Sequence, residues 1–153
     1  MNSATRASTR GTTPWGRFFL SLHIRLYRAT GGLIGYRLGP QRILLLTTTG
    51  RKTGQPRTQP LAYFEHDGAY VVVASNWGRD IPPAWYLNLI AMPMVDVQLR
   101  RSTFNALATV ASAEQRAALW PRITRQYPQY ARYQAGTARE IPLVLLRPSA
   151  ASS

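Results

Sequence analysis

The segment RILLLTTTGRKTGQPRTQPLAYFEHDGAYVVVAS, residues 42–75, carries the strongest signal for the fold. It contains three runs of β-branched, leucine and aromatic residues, at 42–49, 57–66 and 69–75, and each run predicts a β-strand. The dipeptide Asp67-Gly68 between the last two runs is typical of a tight hairpin turn. Because such short turns join antiparallel neighbours, the segment predicts the start of an antiparallel sheet.

The sequence beyond this segment extends the sheet and adds helices. Three more strands are predicted at residues 94–100, 104–110 and 141–147. Helices are predicted at residues 15–28 and 84–91, after Ser112 and after Pro128. The strand–helix alternation and the GxGxxG turn of a dinucleotide-binding fold are both missing. We therefore expect a mainly β, α+β protein: a six-stranded, mostly antiparallel barrel with helices packed outside.

Composition excludes several kinds of site. The 153 residues include no cysteine, which excludes disulfides, iron–sulfur clusters and cysteine nucleophiles. The two histidines and six carboxylates lack metal-ligand spacing, so no metal is expected. The net charge of +13 favours an anionic partner: nucleic acid, a membrane surface or a polyanionic ligand. The scattered arginines match no nucleic-acid-binding motif, so we expect no nucleic acid partner.

The chain ends are small and polar, which predicts a single domain between two tails. We expect a flexible N-terminal tail at residues 1–13, the domain at 14–148 and a C-terminal tail at 149–153. No run of 18 apolar residues could span a bilayer, and no secretory signal is recognisable, so a cytoplasmic protein is expected. We also expect a monomer.

The first helix has an apolar stripe made by Trp15, Phe18, Phe19, Leu22 and Leu26. Two interpretations fit this pattern. The helix could pack on the domain, or it could lie on an anionic membrane as a peripheral contact of residues 14–30, because arginines flank the stripe.

The turn between the first two strands concentrates positive charge. Gly50-Arg51-Lys52-Thr53-Gly54 includes the only lysine of the chain, and Arg57 follows closely. Glycines allow backbone N–H groups to turn toward a ligand, and arginine and lysine bind phosphate or carboxylate. The turn lacks the Walker spacing. It predicts either an anion-binding loop or an exposed basic turn.

Five blocks of sequence occur in order with short gaps: TTTGRKTGQPR (47–57), PLAYF (60–64), VVVASNWG (71–78), PAWYLNL (83–89) and YPQYARYQAGTAREIP (127–142). Together they resemble the deazaflavin-dependent nitroreductase family, whose members are split-barrel oxidoreductases that use coenzyme F420. The resemblance covers about residues 15–148. It implies a split β-barrel, coenzyme F420 and hydride transfer from reduced deazaflavin to a small acceptor: a quinone, a nitroaromatic or an activated alkene.

The resemblance also implies roles for individual residues. The coenzyme tail, which carries phosphate and glutamate, is implied to be bound by Thr48, Thr49, Gly50, Arg51, Lys52, Thr53, Gly54, Pro56 and Arg57. The ring is implied to lie beside Ala74, Ser75, Asn76, Trp77 and Gly78, with further contacts from Pro83, Trp85, Tyr86, Asn88 and Leu89. An acceptor pocket is implied at Tyr127, Tyr130 and Tyr133. Ser75 and Tyr133 are the expected catalytic residues, as proton relay and acceptor-orienting group.

Some alternatives remain open at this level. Trp85 and Leu89 could instead be core residues, whereas a mid-helix Asn88 needs polar partners if buried. Pro60 within a strand predicts an edge or a bulge near the site, and we include it among the coenzyme contacts. Many relatives carry lysine and glycine where this chain has Asn76 and Trp77, so the acceptor could differ. The rival functions are a split-barrel oxidoreductase that uses FMN and a non-catalytic protein that binds or sequesters coenzyme.

Overall fold

A computed structural model describes residues 14–149, and both predicted tails, except for Ser149, lie outside the described residues. The helices are α1 (Pro14–Thr30), α2 (Ala84–Ala91), α3 (Ala113–Gln126) and α4 (Gln129–Ala135). The strands are β1 (Arg37–Leu38), β2 (Gln41–Thr49), β3 (Pro56–Ala62), β4 (Phe64–His66), β5 (Ala69–Val73), β6 (Met94–Leu99), β7 (Ser102–Val110) and β8 (Leu143–Pro148).

The strands form a barrel with one gap. The hydrogen-bonded order is β1-β2-β6-β7-β8-β5-β4, and β3 also pairs with β2; all of these pairs are antiparallel. Strand β4 follows β3 after the single residue Tyr63, so residues 56–66 act as one bent strand. Its first part pairs with β2 and its second part with β5. Within residues 14–149, β3 and β5 form no ladder, and this gap splits the barrel.

The predicted fold class is confirmed, and the strand count differs for a simple reason. The predicted strand at 57–66 is divided at Tyr63, and the two-residue β1 is added at the edge of β2. Such a short strand has too little sequence to show a period. Ser112 caps α3 as the sequence predicts: its hydroxyl accepts from the Gln115 N–H, and the Gln115 side chain accepts from the Ser112 N–H.

Alternating side chains build two cores on opposite faces of the sheet. Inside the barrel, Val144 and Leu146 of β8 pack with residues of the other strands. On the outer face, Leu143 and Leu145 pack against α3 and α4. Because β8 is buried on both faces, its sequence is a continuous apolar run.

The strand directions place two connections at one end of the barrel. Strands β2 and β5 are each antiparallel to the bent strand 56–66, so both run in the same direction. The loop after β2 and the segment after β5 therefore leave the barrel on the same side, and both border the gap between β3 and β5. These two connections contain nearly half of the site residues that the sequence predicts.

Candidate active site

The loop between β2 and β3 is held by its own backbone. The Gly50 N–H donates to the Gln55 carbonyl at 2.8 Å, and the Gly54 N–H donates to the Gly50 carbonyl at 2.8 Å. A Cβ at Gly50 would lie 2.7 Å from the Thr53 hydroxyl oxygen, and Gly54 has a φ of 71°. Both glycines are therefore required by this turn, and their N–H groups bond to carbonyls of the loop itself, so they are not turned toward a ligand.

Helix α2 fixes this loop through one buried amide. Asn88 is only 5% exposed; its Oδ1 accepts from the Arg51 N–H at 3.1 Å, and its Nδ2 donates to the Thr48 hydroxyl at 3.1 Å. Thr48 is itself 1% exposed. The expected polar partners of Asn88 therefore exist, and they belong to the loop. The Asn88 amide thus holds the Arg51 backbone in place, and the expectation that Asn88 also contacts the coenzyme stays a prediction.

The side chains of the loop point to solvent. Arg51, Lys52, Thr53 and Arg57 are all exposed. None of the three cations forms an ion pair or a side-chain hydrogen bond within the described part of the chain. The loop thus presents three unneutralised positive charges on a constrained backbone, which favours anion binding over an ordinary turn.

The free edge of β3 borders the gap in the barrel. Strand β3 has a partner on one side only, and Pro60 lies in its middle, opposite Leu45 of β2. A proline removes one N–H from the strand, so it suits an edge that must stay unpaired. Of the edge and the bulge that Pro60 predicts, the pairing shows the edge, whereas the contact of Pro60 with the coenzyme stays a prediction.

The segment after β5 has an unusual backbone. Asn76, Trp77 and Gly78 all have positive φ, at 45°, 54° and 75°. The left-handed region is ordinary for glycine and uncommon for asparagine, but a bulky tryptophan there is an outlier that costs about 1–2 kcal/mol. Trp77 is nevertheless 70% exposed, so packing of its indole does not explain the conformation.

The Arg139 side chain holds this strained segment in place through hydrogen bonds to its backbone. Its guanidinium donates to the carbonyls of Ala74 (3.3 Å), Ser75 (2.8 Å) and Arg79 (2.8 Å). Sequence analysis assigned Arg139 no role, although it lies within the fifth of the matching blocks. Its signal was only a single arginine beside Glu140, and nothing in the sequence shows that it bonds to carbonyls 60 to 65 positions away.

Further bonds fix the same segment on both sides. The Asn76 amide donates to the Ile81 carbonyl at 2.9 Å, and the Thr137 hydroxyl donates to Asp80 at 2.9 Å. A Cβ at Gly78 would lie 2.7 Å from the Tyr133 carbonyl oxygen, so only glycine allows this close approach to α4. The segment is thereby placed directly against Tyr133.

Helix α2 contributes mainly packing. Trp85 and Leu89 are buried in the interior core, which favours the core alternative for both. Tyr86 is half-buried, and Pro83 lies at the N-cap position of the helix. Of this group, Tyr86 retains partly exposed surface that a ligand could contact.

The three tyrosines form a cluster, but they do not share one environment. Tyr127 and Tyr130 are buried against Phe64 in the outer core. The Tyr127 hydroxyl donates to the Pro40 carbonyl at 3.1 Å, and the Tyr130 hydroxyl accepts from Gln41 at 3.3 Å. Pro40 and Gln41 lie at the start of β2, away from the cationic loop at its end. Only Tyr133, which is half-buried, lies at the strained segment.

The hydroxyl groups near the site differ in burial and in hydrogen bonding. Burial raises the pKa of Tyr130 to about 12, so its phenol is protonated at neutral pH. Its hydroxyl is also occupied by Gln41. The Ser75 side-chain hydroxyl, by contrast, makes no hydrogen bond within residues 14–149 and is half-buried. The Tyr133 hydroxyl likewise makes no hydrogen bond among the described residues, and its ring packs on Tyr130 and the outer core.

These features fit an elongated anionic cofactor. Three exposed cations lie on the β3 side of the gap, and the constrained segment that carries Trp77 lies on the β5 side. In the described range, no group of three or more metal-ligating side chains occurs. Among the helices described, none is long and apolar enough to cross a membrane.

Comparisons with known proteins agree with this chemistry. The family model described as F420H(2)-dependent quinone reductase matches residues 19–148. An F420H(2)-dependent quinone reductase of Mycobacterium tuberculosis is 40% identical over 131 residues, which cover 83% of this chain and 88% of that protein.

Two solved structures extend the comparison. An F420-H2 dependent reductase (FDR-A) is 39% identical, with a TM-score of 0.62, over 69% of this chain and 93% of that one. A structure described as a domain-swapped dimer is 35% identical, with a TM-score of 0.66, over 90% of this chain and 100% of that one.

Proposed function

The chain belongs to the F420H(2)-dependent quinone reductase family, and we propose that it binds coenzyme F420 in the gap between β3 and β5 and reduces a quinone there. Bound reduced F420 supplies a hydride from its deazaflavin ring. The quinone then needs one proton to reach the hydroquinone. The protein contributes binding, orientation and that proton, which matches a site without a catalytic dyad.

The observation that carries the proposal is the unneutralised charge of the loop after β2. Arg51, Lys52 and Arg57 are exposed on a backbone that Gly50, Gly54 and Asn88 constrain. The phosphate and glutamate groups of the coenzyme tail supply negatively charged partners for these cations. FMN has one phosphate and no glutamates, so three cations on a rigid loop favour the longer tail over the rival cofactor.

The ring and the acceptor belong on the β5 side of the gap. We place the ring beside Ser75 and the free edge of β3, because Ser75 is half-buried and its hydroxyl makes no hydrogen bond within residues 14–149. Trp77 and Tyr133 then offer aromatic surfaces on which a quinone can stack. Tyr127 and Tyr130 do not enter this assignment, because they are buried and their hydroxyls are bonded elsewhere.

The proton has two candidate sources within the site. We take the Ser75 and Tyr133 hydroxyls as the candidates, because neither forms a hydrogen bond within residues 14–149. Either can donate directly to a quinone oxygen or relay a proton from water. We assign the orienting role to Tyr133 and the relay role to Ser75.

The experiment that tests this function is a binding and turnover comparison. The purified chain is titrated with oxidised F420 and with FMN, and then mixed with reduced F420 and a short-chain quinone. Tight binding of F420, weak binding of FMN and oxidation of reduced F420 that depends on the quinone are expected. Preferential binding of FMN would favour the flavin alternative, and F420 binding without turnover would favour a sequestering protein.

The apolar stripe of α1 is exposed and could give the enzyme access to a membrane-dissolved acceptor. Trp15, Phe18 and Phe19 are more than 60% exposed, so the packing interpretation does not hold for this part of the helix. We propose that the stripe contacts anionic lipid, where hydrophobic quinones dissolve. Full-length Phe18→Ser/Phe19→Ser protein should then float less with anionic vesicles than the wild type does. Equal flotation would contradict the proposal.

The same stripe bears on assembly. A monomer was expected from the sequence, and the related domain-swapped dimer argues for a dimer instead. Light scattering on the wild type and on Phe18→Ser/Phe19→Ser separates the two uses of the stripe. A dimer that dissociates on substitution would assign α1 to the subunit interface, and an unchanged state with reduced flotation would assign it to lipid.

A further inference from the structure

A second site lies at the opposite end of the barrel from the cationic loop. A cavity of about 560 Å³ opens between the end of α1, the bent strand and the β6–β7 hairpin. Its walls include Tyr36, Tyr63, Leu99 and three arginines, Arg42, Arg100 and Arg101. None of the residues proposed to bind F420 or quinone lines this cavity.

The cavity is well separated from the proposed active site. Arg42 lies at the start of β2, and Thr49 lies seven residues later at its end. At about 3.3 Å per residue, the two positions are roughly 23 Å apart along the strand. The cavity therefore cannot be an extension of the loop that binds the coenzyme tail.

The cavity carries an unbalanced positive charge. Three arginines and one carboxylate, Glu65, line it, which gives a net charge of +2. No guanidinium among the three forms an ion pair or a hydrogen bond within residues 14–149. Burial and the hydrogen bond with Tyr36 raise the pKa of Tyr63, so the Tyr63 phenol adds no negative charge at neutral pH.

Aromatic rings orient two of the guanidinium groups. The Arg42 guanidinium lies over the Tyr63 ring at 5.2 Å, and the Arg100 guanidinium lies over the Tyr36 ring at 4.9 Å. The hydroxyls of Tyr36 and Tyr63 are 2.9 Å apart and share a hydrogen bond. Stacking uses the face of a guanidinium and leaves its N–H edge for an oxyanion.

The hairpin that carries Arg100 and Arg101 is fixed before any ligand arrives. The buried Tyr27 hydroxyl accepts from the Arg100 N–H at 2.8 Å, and a Cβ at Gly32 would lie 2.7 Å from the Arg100 Cα. Arg100 itself has a φ of 55°, where glycine or asparagine is the ordinary choice. The contacts with Tyr27 and Gly32 therefore set the Arg100 backbone, and the arginine side chain is presented from a fixed position.

From this geometry we propose that the cavity binds a phosphate monoester. The dianionic form of such a group, with a charge near −2, balances the charge of the cavity, and its oxygens can accept from guanidinium edges on two different elements. The group can come from a soluble metabolite or from the headgroup of a lipid such as phosphatidic acid. The site is independent of the redox chemistry, because it shares no residue with it.

The test uses Arg100→Asn/Arg101→Gln in the full chain. Asparagine tolerates the left-handed backbone, so this double variant removes two charges without added strain. Arg125→Gln/Arg132→Gln, which changes two exposed helical arginines, is the matched control. Calorimetry with glycerol 3-phosphate and flotation with phosphatidic acid vesicles measure the two sources of the phosphate group, with phosphatidylcholine vesicles as a blank.

We expect binding to at least one phosphate probe to weaken tenfold or more in the cavity variant and less than threefold in the control. Affinity for F420 and quinone turnover should be unchanged in both, because the active site is untouched. Loss of calorimetric binding assigns a soluble ligand, and loss of flotation alone assigns a lipid. Wild-type protein that binds neither probe, or equal losses in the two variants, would overturn the proposal.

Discussion

The two segments that border the gap in the barrel are built in opposite ways. In the loop at residues 50–57, backbone hydrogen bonds and glycines fix the main chain, and the charged side chains are left in solvent. In the segment at residues 74–80, the main chain is strained, and side chains from elsewhere hold it, chiefly the Arg139 guanidinium.

This difference indicates what each segment recognises. Exposed flexible cations recognise charge, which tolerates small displacements and weakens with salt. A strained backbone held by fixed bonds recognises shape, because it places an aromatic side chain at one position. The loop should therefore control coenzyme affinity, and the strained segment should control the rate with the acceptor.

Removal of the Arg139 clamp should have the largest effect. Arg139→Ala leaves the carbonyls of Ala74, Ser75 and Arg79 without their donor, and hydrogen bonds to charged groups contribute about 1.5–3 kcal/mol each. We expect the free energy of unfolding to fall by about 2–4 kcal/mol and quinone turnover to fall at least thirtyfold. Denaturant unfolding and steady-state kinetics measure both.

A matched control separates the clamp from a general loss of charge. Arg147→Ala removes an exposed arginine that bonds a single carbonyl, that of Asp67, and should change stability by less than 1 kcal/mol, as for most surface substitutions. Arg139→Lys should restore part of the stability but little of the turnover, because lysine cannot span three carbonyls. Normal turnover in Arg139→Ala would show that the segment needs no clamp.

Neutralisation of the loop should have the next largest effect. Arg51→Ala/Lys52→Ala should weaken F420 binding at least tenfold, equivalent to about 1.4 kcal/mol, and the wild-type affinity should fall as salt rises. The free energy of unfolding should not change, because both side chains are exposed. Arg125→Ala/Arg132→Ala provides the same charge change elsewhere. If F420 binding weakens equally in the two double variants, the loop is an ordinary basic turn.

Truncation of Tyr133 should affect the acceptor more than the coenzyme. Tyr133→Ala should lower turnover of a bulky quinone about tenfold, since an aromatic anchor is lost, and should change F420 affinity less than threefold. Tyr133→Phe distinguishes packing from hydrogen bonding: a mild loss indicates packing, and a large loss indicates that the hydroxyl orients or protonates the quinone. If coenzyme binding weakens and turnover is unimpaired, the assignment of α4 to the acceptor is wrong.

Substitution of Trp77 should give the smallest effect, with opposite signs for stability and activity. Trp77→Gly removes the strain of a tryptophan in the left-handed region, so the free energy of unfolding should rise by about 1 kcal/mol. Turnover of a quinone should fall several-fold, because the exposed indole no longer contacts it. Gly78→Ala, which brings a Cβ against Tyr133, should destabilise instead. Unchanged turnover in the more stable Trp77→Gly protein would remove Trp77 from the acceptor site.

Local patterns predicted most of the architecture. The strand periods, the Asp67-Gly68 turn and the Ser112 cap are encoded by neighbouring residues, and the structure has all of them. Contacts between distant positions were not predictable in the same way. The Asn88 amide bonds to Thr48 and Arg51 across about 40 positions, and Arg139 reaches Ser75 across 64.

The burial of Tyr130 and Tyr133 also depends on contacts between distant positions. Pro128 correctly marked the start of α4, and spacing placed Tyr130 and Tyr133 near each other on it. Which of them is exposed depends on where α4 meets the sheet. Phe64 and Gln41 bury Tyr130, whereas Gly78 brings Tyr133 to the gap, and no local pattern encodes either contact.

The central claim is that the loop at residues 50–57 binds the acidic tail of coenzyme F420. The most direct measurement compares the affinity of F420 with that of a deazaflavin lacking the phosphate and glutamates, in the wild type and in Arg51→Ala/Lys52→Ala. We predict that the wild type prefers the intact coenzyme at least tenfold and that the double variant loses most of this preference. An equal preference in both proteins would contradict the claim, because the tail would then be bound elsewhere.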